Sequence, residues 1–149
     1  MRHISVIFLA LIVSVQALFA AEPERIMLTG DWEFRQAGSD VWYKADVPGC
    51  VHTDLFANGL IEDPFYGRNE KSLQWVGEKD WEYRKIFRIE DKTSLVSNAY
   101  MILEGVDTYA QISINGLPVG NADNMFRTWR FNIKDMLKEG DNEILIEFE

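Results

Sequence analysis

The sequence of 149 residues contains one cysteine, Cys50, and no internal repeat or low-complexity tract. A single cysteine cannot form an internal disulfide, and it excludes zinc or redox motifs that need several cysteines at fixed spacing. Basic residues are also scarce, because 15 Lys and Arg stand against 24 Asp and Glu, for a net charge of −9. A chain this acidic repels phosphate backbones, so we expect no nucleic-acid partner. No cofactor is expected either.

The only long apolar run lies near the amino terminus, over residues 4–15. Arg2 precedes it, and small residues follow at Ala17, Ala20 and Ala21, which is the order of a secretory signal peptide. The run is shorter than the ~20 residues that span a bilayer. We predict a signal peptide over residues 1–21, no membrane span after cleavage, and a secreted or periplasmic location, or a lysosomal one in a eukaryote. An uncleaved membrane anchor is the alternative.

Residues 22–149 are predicted to form one domain, with a net charge of about −10 after cleavage. Apolar and polar residues alternate in several short segments, a pattern typical of strands with one buried face. The clearest segments are residues 26–34, 81–89, 99–103, 109–114, 129–133 and 142–149, with a shorter one over 41–47. We predict an all-β fold of about seven strands, with one or two helical turns over residues 50–58 and an irregular segment over 63–80.

One hairpin can be located from its turn residues. Asn115 and Gly116 tolerate the positive φ angles that a type I′ turn requires, so the strand over 109–114 is expected to fold back there. Pro118 follows, and it has no N–H to donate to a neighbouring strand. The returning strand is therefore predicted to lie at the edge of its sheet.

Four segments resemble the domain that opens the family 2 glycoside hydrolases, especially the β-mannosidases. They are LTGDWEF at 28–34, VPGCVHTDLFANGLIEDPFYGRNE at 47–70, WVGEKDWEYRKIF at 75–87 and LEGVDTYAQISINGLPVGNADNMFRTWRFNIKDMLKEGDNEILIEF at 103–148. The Gly-Val-Asp-Thr and Asn-Gly elements are shared across the family, whereas the second and third segments resemble the β-mannosidases more narrowly. The resemblance implies a jelly-roll, galactose-binding-like β-sandwich.

The resemblance also implies a retaining exo-glycosidase that releases terminal β-linked mannose. Such enzymes use two carboxyl groups ~5–5.5 Å apart. In this family both are Glu on a downstream (β/α)₈ barrel, which is the partner that the resemblance implies for this domain. No Glu here matches those motifs, so we assign no catalytic residue and expect the chain alone to be inactive.

The family pattern continues with further strands after the point where this sequence ends, so we expect the sandwich to be truncated at its carboxyl terminus. Three other interpretations remain open. The first is a stand-alone carbohydrate-binding module, the second is another family 2 hydrolase such as a β-galactosidase or β-glucuronidase, and the third is a structural interaction domain without affinity for sugar.

In related enzymes a loop of the first domain reaches toward the sugar pocket, and the matching stretch here is residues 63–80. The substrate-proximal candidates are Arg68, Asn69, Glu70, Trp75 and Trp81. The arginine could orient a carboxylate, the amide and carboxyl groups could hydrogen-bond sugar hydroxyls, and either indole could stack on a sugar ring. The alternative is that these residues anchor a long loop onto the domain.

Other polar residues carry weaker indications. Cys50 and His52 could bind metal only with further ligands, so we expect a buried, inert thiol and a histidine at a helix start. Asp107 is expected to make an Asx-type turn, with a sugar contact as the alternative. Residues 121–127 could line a concave face of the sandwich, and Arg127 and Arg130 are alternatively expected to pair with surface acids.

Overall fold

The computed structural model describes residues 25–91 and 98–149, so the predicted signal peptide lies outside the described residues. Strands dominate this part of the chain, which confirms the all-β prediction. They are β1 Trp32–Gln36, β2 Tyr43–Ala45, β3 Trp81–Ile89, β4 Tyr100–Leu103, β5 Ala110–Ile114, β6 Leu117–Ala122, β7 Trp129–Asn132 and β8 Gly140–Phe148. The helical elements are α1 Val51–Ala57, α2 Asn69–Ser72 and the 3₁₀ turns Gln74–Glu78 and Lys134–Met136.

The strands form two antiparallel sheets. The large sheet has six strands in the order β2-β1-β3-β8-β5-β6, and the small sheet pairs β4 with β7. The last strand, β8, is central and pairs with β3 on one side and β5 on the other. Strand β6, which contains Pro118, lies at an edge of the large sheet as predicted. The prediction that further strands follow residue 149 stays a prediction.

The strand predicted over residues 26–34 begins later than expected, at Trp32. Gly30 has φ 58° and Asp31 has φ 46°, and the left-handed backbone at these two residues is incompatible with a strand. The ammonium group of Lys85 lies beside this turn, where it donates hydrogen bonds to the carbonyl oxygens of Gly30, at 2.5 Å, and Thr29, at 3.3 Å. The segment before β1 is therefore held against β3 by a side chain and not by strand pairing.

The core lies between the large sheet and the elements packed on one of its faces. Alternate residues of the strands are buried, and Phe34 and Ile114 are fully inaccessible to solvent. The Phe34 ring stacks on Tyr83 at a centroid distance of 5.6 Å. Each fully buried side chain of this size contributes about 1.5–3 kcal/mol relative to exposure. The period-2 pattern of the sequence therefore corresponds to one continuous apolar interior.

Helix α1 covers part of this sheet, and Cys50 is the N-cap residue that precedes it. The Cys50 N–H donates to the Thr53 hydroxyl at 3.2 Å, and that hydroxyl donates to the Cys50 carbonyl at 2.7 Å, which closes the first turn. The expectation of a buried thiol is wrong, because Cys50 is exposed. Cys50 precedes the helix, whose buried face consists of Asp54 and Leu55, so its side chain lies outside that face. His52 lies in the first turn of the helix.

Within residues 25–91 and 98–149, no group of three or more His, Cys, Asp or Glu side chains is arranged to hold a metal ion. In the same residues, no helix has the length and apolar character needed to cross a bilayer.

The predicted Asn115-Gly116 hairpin is present, with φ 52° and 76° at its two turn residues. It lies at one end of the sandwich beside Asn142, whose side chain is only 1% exposed. The Asn142 side chain accepts hydrogen bonds from Asn115 and from the Lys138 N–H, and it donates to the carbonyls of Lys138 and Gly140. We call the end of the sandwich that contains the Asn115-Gly116 turn and Asn142 the hairpin end. The buried Asn142 amide has all of its hydrogen-bonding capacity satisfied.

Candidate functional site

The strand register brings several connections to the end of the sandwich opposite the hairpin end. Gln36 pairs with Trp81, Trp81 with Phe148, Phe148 with Ala110, and Ala110 with Ala122, which makes one row across five strands. Because the strands are antiparallel, the chain enters or leaves the sheet at each of these residues on the same side.

The small sheet contributes to this same end. Leu103 pairs with Trp129, so the connection that leaves β4 and the one that enters β7 both lie here. We call this the loop end, and it comprises residues 37–42, 58–80, 104–109, 123–128 and Glu149. The stretches 63–80 and 121–127, which the sequence indicated separately, therefore meet at one end of the domain.

A first depression of about 440 Å³ opens at the loop end. It is lined by Phe34, Gln36, Ala37, Gly38, Ser39, Tyr43, Leu55, Leu60, Trp75 and Trp81. A hydrogen bond of 2.9 Å from the Ala37 N–H to the Asp80 carbonyl joins the two segments that form its rim. Four of its ten lining residues are aromatic, and its volume is in the range typical of small-ligand sites, about 300–1,000 Å³.

Residues 63–80 are not irregular as predicted, since they contain α2 and the 3₁₀ turn Gln74–Glu78. Short-range hydrogen bonds stabilise these turns, including one of 2.8 Å from the Gln74 amide to the Glu70 carbonyl. The Asn69 amide donates to the Asp63 carbonyl at 2.9 Å, which ties the start of α2 back to the segment before it. This contact gives Asn69 the anchoring role that the sequence left as an alternative.

Arg68 and Glu70 are exposed on either side of Asn69. Within residues 25–91 and 98–149, neither side chain makes a hydrogen bond or an ion pair. The same segment exposes the rings of Phe65, which is 91% exposed, and Tyr66, which is 76% exposed. Charged groups and apolar rings are therefore both available at this surface for a ligand or another domain.

The five tryptophans have different environments, and they cannot all contact a ligand. Trp32 is 5% exposed and Trp81 is 7% exposed, so both belong to the core. The guanidinium groups of Arg35 and Arg84, both on the large sheet, lie 4.3 and 4.1 Å from the Trp42 ring centroid. Trp75, at 36%, is the one that is exposed, and Trp129 is half-buried.

Trp75 and Trp81 are neighbours with different roles. The Trp81 indole donates to the Val76 carbonyl at 2.9 Å, and its ring packs 5.9 Å from Phe34. Trp75 lies against Trp81 at a centroid distance of 6.3 Å with a tilt of 43°. Trp81 is thus fixed by the core and supports Trp75, whose ring faces the first depression. The structure brings together the two indoles that the sequence selected, but only Trp75 is accessible.

A buried pair positions α1 beside this depression. The Tyr83 hydroxyl donates to the Asp54 carboxylate at 2.8 Å, and the Asp46 N–H donates to the other carboxylate oxygen at 3.0 Å. Burial, and then the adjacent Asp54 carboxylate, raise the pKa of Tyr83 well above its usual range. Tyr83 therefore stays a donor at neutral pH, and the pair fixes the helix turn that carries Leu55 into the wall of the depression.

A second depression of about 450 Å³ lies at the loop end, where β5 and β6 approach β7. It is lined by Tyr109, Ala110, Gln111, Asn121, Ala122, Asp123, Arg127, Trp129 and Glu149. Ala110 and Ala122 are directly paired and buried, so two small side chains occupy the last inward positions of these strands. Their size leaves open the space that larger residues fill elsewhere in the core. The sequence indicated residues 121–127 for a concave face, and four residues of that stretch line this depression, whereas its residues on β5 were not indicated.

The 123–128 connection is ordered around Trp129. Its indole N–H donates to the Asn124 carbonyl at 3.3 Å, and its ring lies parallel to Phe131, with 3° between the planes. The Arg127 guanidinium lies 4.4 Å from the Trp129 ring centroid, and that of Arg130 lies 3.9 Å from the ring of Tyr100. The structure thus places these arginines on aromatic rings, where cation–π attraction holds them, and not on surface acids as expected.

The fold and the aromatic residues of the loop end define a class of domain, and comparison with known proteins identifies it. Residues 32–149 match the family model described as glycosyl hydrolase 2 galactose-binding domain-like. The chain belongs to this family and corresponds to its N-terminal domain. The resemblance seen in the sequence is confirmed.

Known relatives are β-mannosidases. A β-D-mannosidase structure from Dictyoglomus thermophilum is 49% identical over 81% of this chain, with a TM-score of 0.78. The β-mannosidase of Capra hircus is 36% identical over 87% of this chain. An exo-chitosanase structure from Amycolatopsis orientalis has a TM-score of 0.71 at 19% identity, which shows a shared fold alone. The chain spans about 15% of the length of the β-mannosidases it matches.

Proposed function

We propose that this chain is the N-terminal domain of a secreted, retaining glycoside hydrolase that removes terminal β-linked mannose. The domain supports the catalytic barrel of the same polypeptide, and residues 63–80 help to form the sugar pocket. The observation that carries the proposal is the 49% identity with the D. thermophilum β-D-mannosidase over 81% of the chain. A β-glucuronidase structure, by contrast, is 21% identical over 83% of this chain.

The surface of residues 63–80 supports both roles. Phe65 and Tyr66 expose apolar rings that water solvates poorly, and contact with a second domain would cover them. Arg68, Glu70 and Trp75 lie on the following turns, where polar groups and an accessible indole suit a sugar with hydroxyl and C–H faces. We assign Phe65 and Tyr66 to the domain contact. The edge of the pocket is assigned to Arg68, Glu70 and Trp75.

The experiment is expression of the full-length polypeptide that carries this domain, followed by assays with aryl β-mannoside, β-galactoside and β-glucuronide. We expect turnover of the mannoside above the other two, and none from residues 22–149 alone. Preferential turnover of the galactoside or glucuronide would assign the polypeptide to another family 2 activity. A stop codon directly after Glu149, with a folded chain that binds mannosides, would instead favour a stand-alone binding module.

Mass spectrometry of the exported protein tests cleavage after residue 21.

Substitution of Trp75 tests the role of residues 63–80. We expect Trp75→Ala in the full-length enzyme to raise KM for the aryl mannoside about two- to tenfold, because an aromatic contact contributes about 0.5–1.5 kcal/mol. The matched control is Trp75→Phe, which keeps an aromatic ring and should recover most of the affinity. If Trp75 only anchors the segment, the alanine variant will lower thermal stability and leave KM unchanged.

A further inference from the structure

The strand side chains that line the first depression all lie on the inner face of the large sheet. Phe34 and Gln36 are two residues apart on β1, so their side chains point to the same face. Phe34 pairs with Tyr43 of β2, and Gln36 pairs with Trp81 of β3. Directly paired residues share a face, and the burial of Phe34 and Trp81 shows that it is the inner one. The four side chains therefore converge on one space.

The accessible part of this lining carries hydrogen-bonding groups that the domain does not use. Gln36 is exposed and Tyr43 is half-buried. In the part of the chain that the structure describes, neither the Gln36 amide nor the Tyr43 hydroxyl makes a hydrogen bond. The Trp75 indole N–H is also unpaired there, whereas that of Trp81 donates to the Val76 carbonyl. These unpaired donors and acceptors are available to a ligand in the depression.

The lining of the first depression is uncharged. Among the described residues, the ten that line it include no Asp, Glu, Lys or Arg, although these types form 26% of the chain. Glu82 follows Trp81 on β3, but its side chain points to the opposite face of the sheet and forms an ion pair of 2.6 Å with Arg35. Arg68 and Glu70 lie outside the lining as well. The depression therefore presents aromatic rings together with neutral polar groups.

The turn that forms one side of the depression is fixed by contacts within the domain. The Arg35 guanidinium donates to the Ser39 carbonyl at 2.8 Å, and the Ser39 N–H donates to the Gln36 carbonyl at 3.0 Å. The Tyr43 ring lies 6.1 Å from the ring of Phe34, which is fully buried in the core. Ordering these groups when a ligand binds therefore costs little free energy.

Aromatic rings beside uncharged donors and acceptors suit one class of ligand. A sugar has C–H faces that pack on rings and hydroxyl groups that need both donors and acceptors. An ionic ligand would lose its hydration in this depression without gaining a counter-charge. An apolar side chain of another domain would cover the Gln36 amide and the Tyr43 hydroxyl without pairing them, which is unfavourable. An uncharged sugar satisfies the rings and the polar groups together.

We propose that the first depression binds one uncharged sugar residue of the substrate, with the sugar ring against Trp75 and its hydroxyl groups on Gln36 and Tyr43. The proposal rests on the proposed function and deepens it, because it names the class of sugar that this part of the pocket accepts. It also adds two residues outside the 63–80 segment, Gln36 and Tyr43, to the groups that bind substrate.

A charge introduced at Gln36 tests both the position and the neutrality of the site. Gln36→Glu keeps the size of the side chain and replaces the amide by a carboxylate. The probes are mannose, mannosamine and mannuronate, each as a competitive inhibitor of aryl β-mannoside turnover by the full-length enzyme in mildly acidic buffer, where the amine is protonated and a glutamate is ionised. Relative to mannose, we expect Gln36→Glu to tighten inhibition by mannosamine about two- to fivefold and to weaken that by mannuronate by a similar factor, as for an exposed ion pair. Ratios to the wild type cancel what the other domains contribute to binding.

Asn121→Asp is the matched control, because it makes the same change from amide to carboxylate at an exposed strand position. Asn121 precedes the buried Ala122 on β6, so its side chain lies on the outer face of the sheet. Strand β6 is four strand spacings from β1, which is about 19 Å. This separation exceeds the Debye length of about 8 Å at physiological ionic strength. We expect Asn121→Asp to leave all three inhibition constants unchanged.

Tyr43→Phe tests the second polar group by removing only its hydroxyl. We expect KM for the aryl mannoside to rise about two- to tenfold, which is the effect of losing one neutral hydrogen bond. The melting temperature should not change, because in the described part of the chain this hydroxyl has no partner to lose. A lower melting temperature with an unchanged KM would overturn the assignment and indicate that another domain covers the depression.

The outcomes separate this proposal from the proposed function. If the full-length enzyme cleaves the aryl mannoside and Gln36→Glu changes inhibition by all three sugars equally or not at all, the sugar site is refuted while the proposed function stands. If the enzyme cleaves no aryl glycoside, the proposed function fails, and NMR titration of the same proteins with mannose then decides. Binding that Tyr43→Phe weakens about two- to tenfold would support the site, and absence of binding to the wild type would refute it.

Discussion

The hydrogen bond between Tyr83 and Asp54 allows a quantitative test of how the domain holds α1. The carboxylate is 3% exposed and the tyrosine 9% exposed, so solvent screening is slight. A hydrogen bond to a charged group contributes about 1.5–3 kcal/mol, and its loss leaves the second group buried without a partner. We therefore expect Tyr83→Phe to lower the free energy of unfolding by about 2 kcal/mol.

Asp54→Ala removes a second contact as well, because Asp54 also accepts the Asp46 N–H. We expect a loss of about 3 kcal/mol from this variant. In the double variant the two losses should not add, and a coupling free energy of about 2 kcal/mol should remain. The assay is urea unfolding followed by fluorescence, in which 2 kcal/mol shifts the midpoint by about 1 M at a slope near 2 kcal/mol per molar.

A control and a pH series make the test specific. Tyr66→Phe removes the hydroxyl of a tyrosine that is 76% exposed, and it should change stability by less than about 0.5 kcal/mol. The pKa of Tyr83 is raised in the folded state, so the folded protein binds more protons than the unfolded chain above the ordinary tyrosine pKa of about 10. The contribution of Tyr83 is therefore present below pH 10 and is lost as the pH rises above it.

The Tyr83→Phe variant has no ionisable hydroxyl at this position. The difference in free energy of unfolding between wild type and variant should therefore narrow above pH 10. The slope of this narrowing is at most about 1.4 kcal/mol per pH unit for one proton. Losses that add to within about 0.5 kcal/mol in the double variant would refute the coupling. A wild-type to Tyr83→Phe difference that stays constant up to pH 11 would refute the burial argument.

Two further predictions concern backbone and amide positions. Asn142→Ala should lower the free energy of unfolding by about 3 kcal/mol, because the Lys138 N–H and carbonyl lose a buried partner. Chemical unfolding measures this loss. A loss below about 0.5 kcal/mol would contradict the hydrogen-bond network around Asn142. Gly49→Ala should cost about 1–3 kcal/mol, because the new methyl group would collide with the Asp46 carbonyl oxygen. Gly77→Ala meets no atom within 4 Å and is the control, so equal melting temperatures for the two variants would contradict the steric reason.

Local pattern was enough to predict much of the fold. The alternation over residues 81–89 predicted a strand whose bounds match β3, and the Asn115-Gly116 pair predicted the hairpin and its turn. One or two helical turns were also predicted over residues 50–58, where α1 lies. Each of these features depends on residues close together in sequence, where periodicity and turn preferences act directly.

The misses have two physical origins, the local geometry of a helix start and contacts between distant residues. Cys50 was expected to be buried because cysteine usually is, but the start of α1 places it outside the packed face. The arginine of the 121–127 stretch was expected to find an acid, whereas Arg127 lies on the ring of Trp129 once β7 is formed. The central position of β8, between β3 and β5, could not be seen in its alternation, although it creates the loop end.

The two ends of the sandwich differ in how far their polar and apolar groups are satisfied, and this difference indicates where the domain meets other molecules. At the hairpin end, Asn142 is buried with all of its hydrogen-bonding groups paired. At the loop end, Phe65 and Phe126 are each 91% exposed. Exposed rings of this size are unfavourable in water unless something covers them. The proposed contact with a catalytic domain and its glycan therefore falls at the loop end, where these rings are exposed.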